Sequence, residues 1–160
     1  MKLKPLEFIL RDSMFADAVD VRTQAYTRFF HIGVFNPNKE IPALECYAFV
    51  EMVKEVGRPL SERMLPVVEQ KWKGVVLSAV TIPPLRERSL DVVSVQHDEP
   101  TKARICINPF IIDYQGYFKD FMIEGERTTL TLNLYPKNLP STESQITISL
   151  GKKITDVGLS

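Results

Sequence analysis

The stretch from Gly125 to Leu150 constrains the fold of this chain more than any other. Thr128, Leu130, Leu132 and Leu134 alternate with Thr129, Thr131, Asn133 and Tyr135, the two-residue period of a half-buried β-strand. After a connection containing Pro140 and Ser141, Ile146, Ile148 and Leu150 repeat the pattern against Thr147 and Ser149. Such a pair buries one face and wets the other, so it needs a covering layer. The best cover upstream is the apolar segment from Pro42 to Val56. Pro42 fits a first helical turn, where its missing N–H costs nothing. Leu44, Tyr47, Ala48, Met52 and Val56 share a helical face, Cys46, Phe49, Val50 and Val53 widen it, and Gly57 with Pro59 ends it. A second helix is expected from Leu60 to Gln70, starting at Ser61 and disturbed at Pro66. The expected fold class is α+β, an antiparallel β-sheet covered by two helices.

The remaining segments fill out that sheet. Arg22 to Phe35 is rich in aromatic and β-branched residues and predicts a strand, closed by a turn at Asn36-Pro37-Asn38-Lys39. Trp72 to Ile82 suits a central strand ended by Pro83-Pro84, and Ser89 to Gln96 and Arg104 to Asn108 suit a hairpin turning at Asp98, Glu99 and Pro100. Residues 1–21 form an N-terminal arm or helix, 22–151 a single globular domain and 152–160 a C-terminal tail. Pro109 to Ile123 is apolar without a steady period, so it calls for cover from its own domain, a partner or a lipid surface.

At 160 residues the chain is long enough for one core. Twenty basic residues balance twenty acidic ones. This weighs against a sequence-blind nucleic-acid binder and removes one brake on self-association. Cys46 and Cys106, the only cysteines, each lie in an apolar run and read as reduced core residues of a cytoplasmic chain. Met1 to Lys4 is too brief for a signal peptide, and no window reaches the roughly 20 apolar residues of a membrane span.

Motifs with chemistry are absent. His31 and His97 are the only histidines and stand in no metal-binding frame; His97-Asp98-Glu99 reads as a solvated turn. No phosphate loop or nucleophile elbow occurs. Neither a cofactor nor an enzymatic activity is expected.

Tyr26-Thr27-Arg28-Phe29-Phe30, the helix over Leu44 to Val56, the Gly57-Arg58-Pro59 turn, the strand from Val75 to Val80, Ala103-Arg104-Ile105 and the Thr/Leu strand from Gly125 to Tyr135 follow one another in this order. The succession resembles that of rhabdovirus matrix proteins over about residues 22–136. The chain departs from the family in its neutral charge, its short basic arm (Lys2 and Lys4) and the missing tyrosine after Pro83-Pro84. The resemblance implies a matrix-protein-like fold in a non-enzymatic structural protein. Such a protein would self-associate and link the viral nucleocapsid to an acidic envelope leaflet, in the virion and at the membrane periphery of the host-cell cytoplasm. No sequence-specific nucleic acid is implied. Self-association would fall on the arm (Leu6, Ile9, Leu10, Met14, Phe15) or on the apolar loop (Phe110, Ile111, Tyr114, Tyr117, Phe118, Phe121). Lipid or nucleocapsid contact would fall on Lys2, Lys4, Lys71, Trp72, Lys73, Lys152 and Lys153. Two alternatives stand beside this one: a bacteriophage tail, neck or head-completion subunit closing a ring, and a small-molecule-binding domain walled by Tyr114 and Tyr117.

Overall fold

Alternation of apolar and polar side chains governs nearly the whole chain. The structure is a computed structural model that describes residues 2–12, 14–21, 23–56, 62–65, 69–73, 79–107 and 121–160. Its strands are β1 (Glu7–Ile9), β2 (Phe15–Val19), β3 (Tyr26–Phe35), β4 (Ala43–Glu55), β5 (Glu62–Met64) and β6 (Val80–Ile82), then β7 (Glu87–Gln96), β8 (Ala103–Ile105), β9 (Met122–Ile123), β10 (Arg127–Tyr135), β11 (Thr142–Ser149) and β12 (Gly158–Leu159). A single 3-10 turn, Ile154–Asp156, is the only helical element among the described residues. All pairings between strands are antiparallel. In sheet 1 the order is β1-β3-β7-β8-β9 with β2 also on β3; in sheet 2 it is β12-β11-β10-β4-β5 with β6 also on β4.

The architecture is thus a β-sandwich, which corrects the α+β expectation. Among the described residues no helix covers the leucine face of β10. Leu130, Leu132 and Leu134 and the Ile146 and Ile148 of β11 are buried in one core with Phe30, Ile32 and Val34 of β3 and Leu90, Val93 and Val95 of β7. The covering layer is the other sheet. The Pro42–Val56 segment is not above β10 but beside it, as β4, with Leu130 opposite Val53 and Leu134 opposite Ala48. Two irregularities disguise this strand. Cys46, Ala48 and Val50 point inward at a period of two, then the register slips opposite Thr131/Leu132 and Val53 becomes the next inward residue. Cys46, Val50 and Val53 consequently mimic the i, i+4, i+7 spacing of a helix. A second shift between Ala43 and Cys46 coincides with Glu45 at a φ of 45°. The expected second helix is corrected as well where it is described: Glu62–Met64 is strand β5, paired with Met52 to Lys54. Residues 60, 61 and 66–68 of that expected helix, and residues 74–78 of the strand expected from Trp72 to Ile82, lie outside the described residues.

Chain crossings between the sheets are held by buried polar side chains. Asn36, fully buried, donates from Nδ2 to the carbonyls of Ile41 and Ile82, and its Oδ1 accepts from Asn38. This fixes the passage from β3 to β4. Glu55 does the same between β9 and β10: its Oε1 accepts the N–H groups of Glu124 and Gly125, both at 3.0 Å, and Oε2 accepts Arg63 Nη1 at 2.9 Å. A side chain at Gly125 would crowd Glu55, whose Cβ is 3.1 Å from the place a Cβ would take. On another flank Gln70 donates its N–H to Ala48 of sheet 2, while Trp72 bridges to Leu90 of sheet 1, so residues 70–73 strap the two layers together.

Candidate functional site

The outer face of sheet 1 is recessed rather than flat. In β3 and β7 the core takes Phe30 and Val93, so Phe29 and the facing Ser94 turn outward, as do His31 and Asp91. On β2 the outward residues are Ala16 and Ala18, opposite Phe29 and Thr27. Small side chains there leave a trough of about 340 Å³. Its floor is Ala16, Ala18, Phe29 and Ser94; its far wall is Ile105, Cys106, Ile107 and Phe121; Val19, Asp20 and Val21 rim it. Val21 is 83% exposed and Val19 57%, an apolar lip beside an apolar hollow.

Charge enters the trough from a few side chains. Lys71 Nζ lies 2.9 Å from Asp91 Oδ2, and Asp91 is buried. His31 is near this group but does not line the trough; burial and the nearby Lys73 push its pKa down, against the opposing pull of Asp91. The Arg104 side chain, half-buried on the strand between Ser94 and Met122, makes no hydrogen bond or ion pair with a described residue. Arg104 and Lys73 are therefore cations available to a ligand, next to a lining that is mainly hydrocarbon.

Behind β2, on the core side, Asp17 anchors the strand. Its carboxylate takes Arg28 Nε and Nη2 at 2.9 and 3.0 Å and His97 Nε2 at 2.9 Å. The Arg28 hydrogen bonds hold Asp17 down to about 2, although burial pushes the other way; His97 adds to the lowering. The Arg28 guanidinium also sits 3.9 Å over the Phe15 ring, and His97 packs on Tyr26. A second cavity, of about 310 Å³, opens on this side between Phe15, Arg28 and the Val157–Leu159 end of sheet 2.

Comparison with known protein families, characterised proteins and solved structures yields no match.

The residues singled out from sequence are only partly brought together. Leu6 is core, 1% exposed, with its carbonyl accepting Thr142 Oγ1. Ile9 and Met14 are half-buried, while Leu10 and Phe15 are exposed beside the second cavity. Phe110, Ile111, Tyr114, Tyr117 and Phe118 lie outside the described residues. Phe121 is buried and forms trough wall. Lys71 and Lys73 reach the trough, but Trp72 between them is fully buried and offers nothing to a lipid surface. Lys2, Lys4, Lys152 and Lys153 are exposed and line neither cavity. Reading the chain missed Ala16, Ala18 and Arg104; the small-residue alternation in Phe15-Ala16-Asp17-Ala18-Val19 was the available signal. Burial pushes the Cys46 thiol up to about 12, which suits an inert core residue.

The outer face of sheet 2 is the other feature of note. Tyr47, Phe49 and Tyr135 cluster there, with ring centroids 6.4 and 5.7 Å apart, and Tyr135 donates its hydroxyl to Glu51. That bond pushes Tyr135 up to about 12. The rings pack on one another. Among the described residues no group of three or more His, Cys, Asp and Glu is placed to hold a metal ion, and no helix is long and apolar enough to cross a membrane.

Proposed function

We propose that this protein is a non-enzymatic recognition module that binds an apolar ligand carrying an acidic group in the trough over sheet 1. The trough itself carries the reading: a hollow of about 340 Å³ with a small-residue floor and the unpaired Arg104 at its side. Apolar pockets with a few placed polar groups are the usual form of such sites. The hydrocarbon lining supplies affinity through burial, and Arg104 orients the acid by a charge-assisted hydrogen bond. The matrix-protein resemblance leans on a helix over Leu44 to Val56, the place taken by β4, so nucleocapsid and envelope partners are not part of this proposal.

The apolar sulfonate 8-anilinonaphthalene-1-sulfonate serves as probe. Titration followed by fluorescence should saturate at one site. Arg104→Ala should weaken binding roughly tenfold, and Ala16→Phe, which fills the floor, should abolish it. Near-ultraviolet circular dichroism must be unchanged in both variants, since this dye also binds loosened states. Wild-type affinity in both variants would overturn the proposal.

A further inference from the structure

Among the described residues β2 lies at the edge of sheet 1, bonded to β3 alone. Its hydrogen-bonding phase follows from two observed contacts: His31 N–H to the Met14 carbonyl at 3.1 Å and Asp20 N–H to the Ala25 carbonyl at 2.9 Å. Both pairs share the register that sets Phe15 opposite Phe30. In an antiparallel ladder alternate residues bond to the partner, so Met14, Ala16, Ala18 and Asp20 face β3. Phe15, Asp17 and Val19 therefore turn their N–H and C=O groups to the open side.

An open strand of this kind is a template for another strand. Its sequence is nearly symmetric about Asp17: Ala16 mirrors Ala18, and apolar Phe15 mirrors apolar Val19. Phe15 is 36% exposed and Val19 57%. We propose that β2 pairs antiparallel with β2 of a second copy, about a two-fold axis at Asp17. Each outward group then meets its complement. Phe15 faces Val19 of the partner subunit twice over, a favourable apolar pair. The two Asp17 carboxylates face each other, but each is already held by the Arg28 of its own chain. The contact is isologous and closes on itself, so it yields a dimer rather than a fibre.

The two-fold axis stands perpendicular to the joined sheet, so both copies keep their outer faces on one side. The two troughs open in the same direction, bordered by the paired β2 strands. A dimer would engage two ligand groups presented on one surface, with avidity beyond either site. The pairing rests on the strand edge and is independent of what the troughs hold.

Sedimentation equilibrium and amide hydrogen exchange on the full chain test it. The wild type should dimerise, and the amides of Phe15, Asp17 and Val19 should gain protection as concentration rises. Val19→Pro removes an N–H that β3 does not use, which an edge strand tolerates. It should raise the dimer dissociation constant roughly tenfold or more while leaving the melting temperature of the monomer unchanged. If that variant folds poorly, Val19→Lys, which places a charge on the edge, should dissociate the dimer instead. A chain that stays monomeric throughout, or a dimer whose Asp17 amide still exchanges freely, would overturn the inference.

Discussion

Glu55→Ala should lower the free energy of unfolding by about 3 kcal/mol, the range for leaving buried polar partners without their counter-group. Glu55 is 4% exposed and satisfies two backbone N–H groups and one guanidinium at the crossing from sheet 1 to sheet 2. Alanine removes the acceptor that Glu55 offers the Glu124 and Gly125 N–H groups and the carboxylate it offers Arg63. The same site gives the wild type a pH dependence of known sign. Burial pushes the Glu55 carboxyl up, but the two N–H groups and Arg63 outweigh it, and the net shift is downward from 4.5. A depressed carboxyl stabilises the fold above its unfolded pKa and loses that contribution as pH falls through the folded value. The gap in urea unfolding between wild type and variant should therefore begin to close as pH falls below about 4.5, the unfolded reference for this group, and narrow further through the lower folded value. Curves that stay a constant distance apart at acid pH would mean that Glu55 is not the clamp.

Leu132→Ala should cost a similar amount, about 3 kcal/mol within the range of buried leucine truncations. Leu132 is completely buried at the centre of β10, where it stands opposite Val50 of β4 and faces sheet 1 across the core. Two rigid sheets collapse poorly around a missing side chain, so most of the cavity should persist. The midpoint in urea should fall with no change of slope. A loss well under 1 kcal/mol would show that this face is not packed as described.

Strands with steady alternation or a dense aromatic and β-branched composition are legible in the sequence. β10 and β11 follow their side-chain periods, β3 and β7 stand out by composition despite the register shift at Phe30/His31, and all four lie close to where the residues suggest. β4 reads as a helix because its register slip, together with helix-favouring Ala, Glu, Met and Lys residues, reproduces a helical stripe. Tertiary pairing with β10 overrides that local preference. The arm over residues 5–20 was open between a helix and an extended form; Leu6, Ile9, Leu10 and Met14 allow both, and pairing with β3 decides for strands β1 and β2. Between the two strands Arg11 reaches Glu87 of β7 at 2.8 and 2.9 Å, and the Glu87 carboxyl lies over Gly33, where a Cβ would have to push it aside.

The site was less legible than the fold. Lys71, Lys73 and Phe121 were marked from sequence, but for contacts with lipid, nucleocapsid or a second copy rather than for a common hollow. What joins them is the strap that puts Lys71 beside Asp91 and the recessed outer face, and both arise from pairings distant in sequence. Ala16 and Ala18 matter through what they leave empty, and an absent side chain carries no motif. Arg104 stands out only once its neighbours are known to leave it unpaired.

The most direct test of the central claim is the pattern of amide chemical-shift changes when 8-anilinonaphthalene-1-sulfonate is added to the wild-type protein. The trough predicts changes concentrated at Ala16, Ala18, Phe29, Ser94, Arg104 and Cys106. Changes concentrated instead at Tyr47, Phe49 and Tyr135, on the outer face of sheet 2, would contradict it.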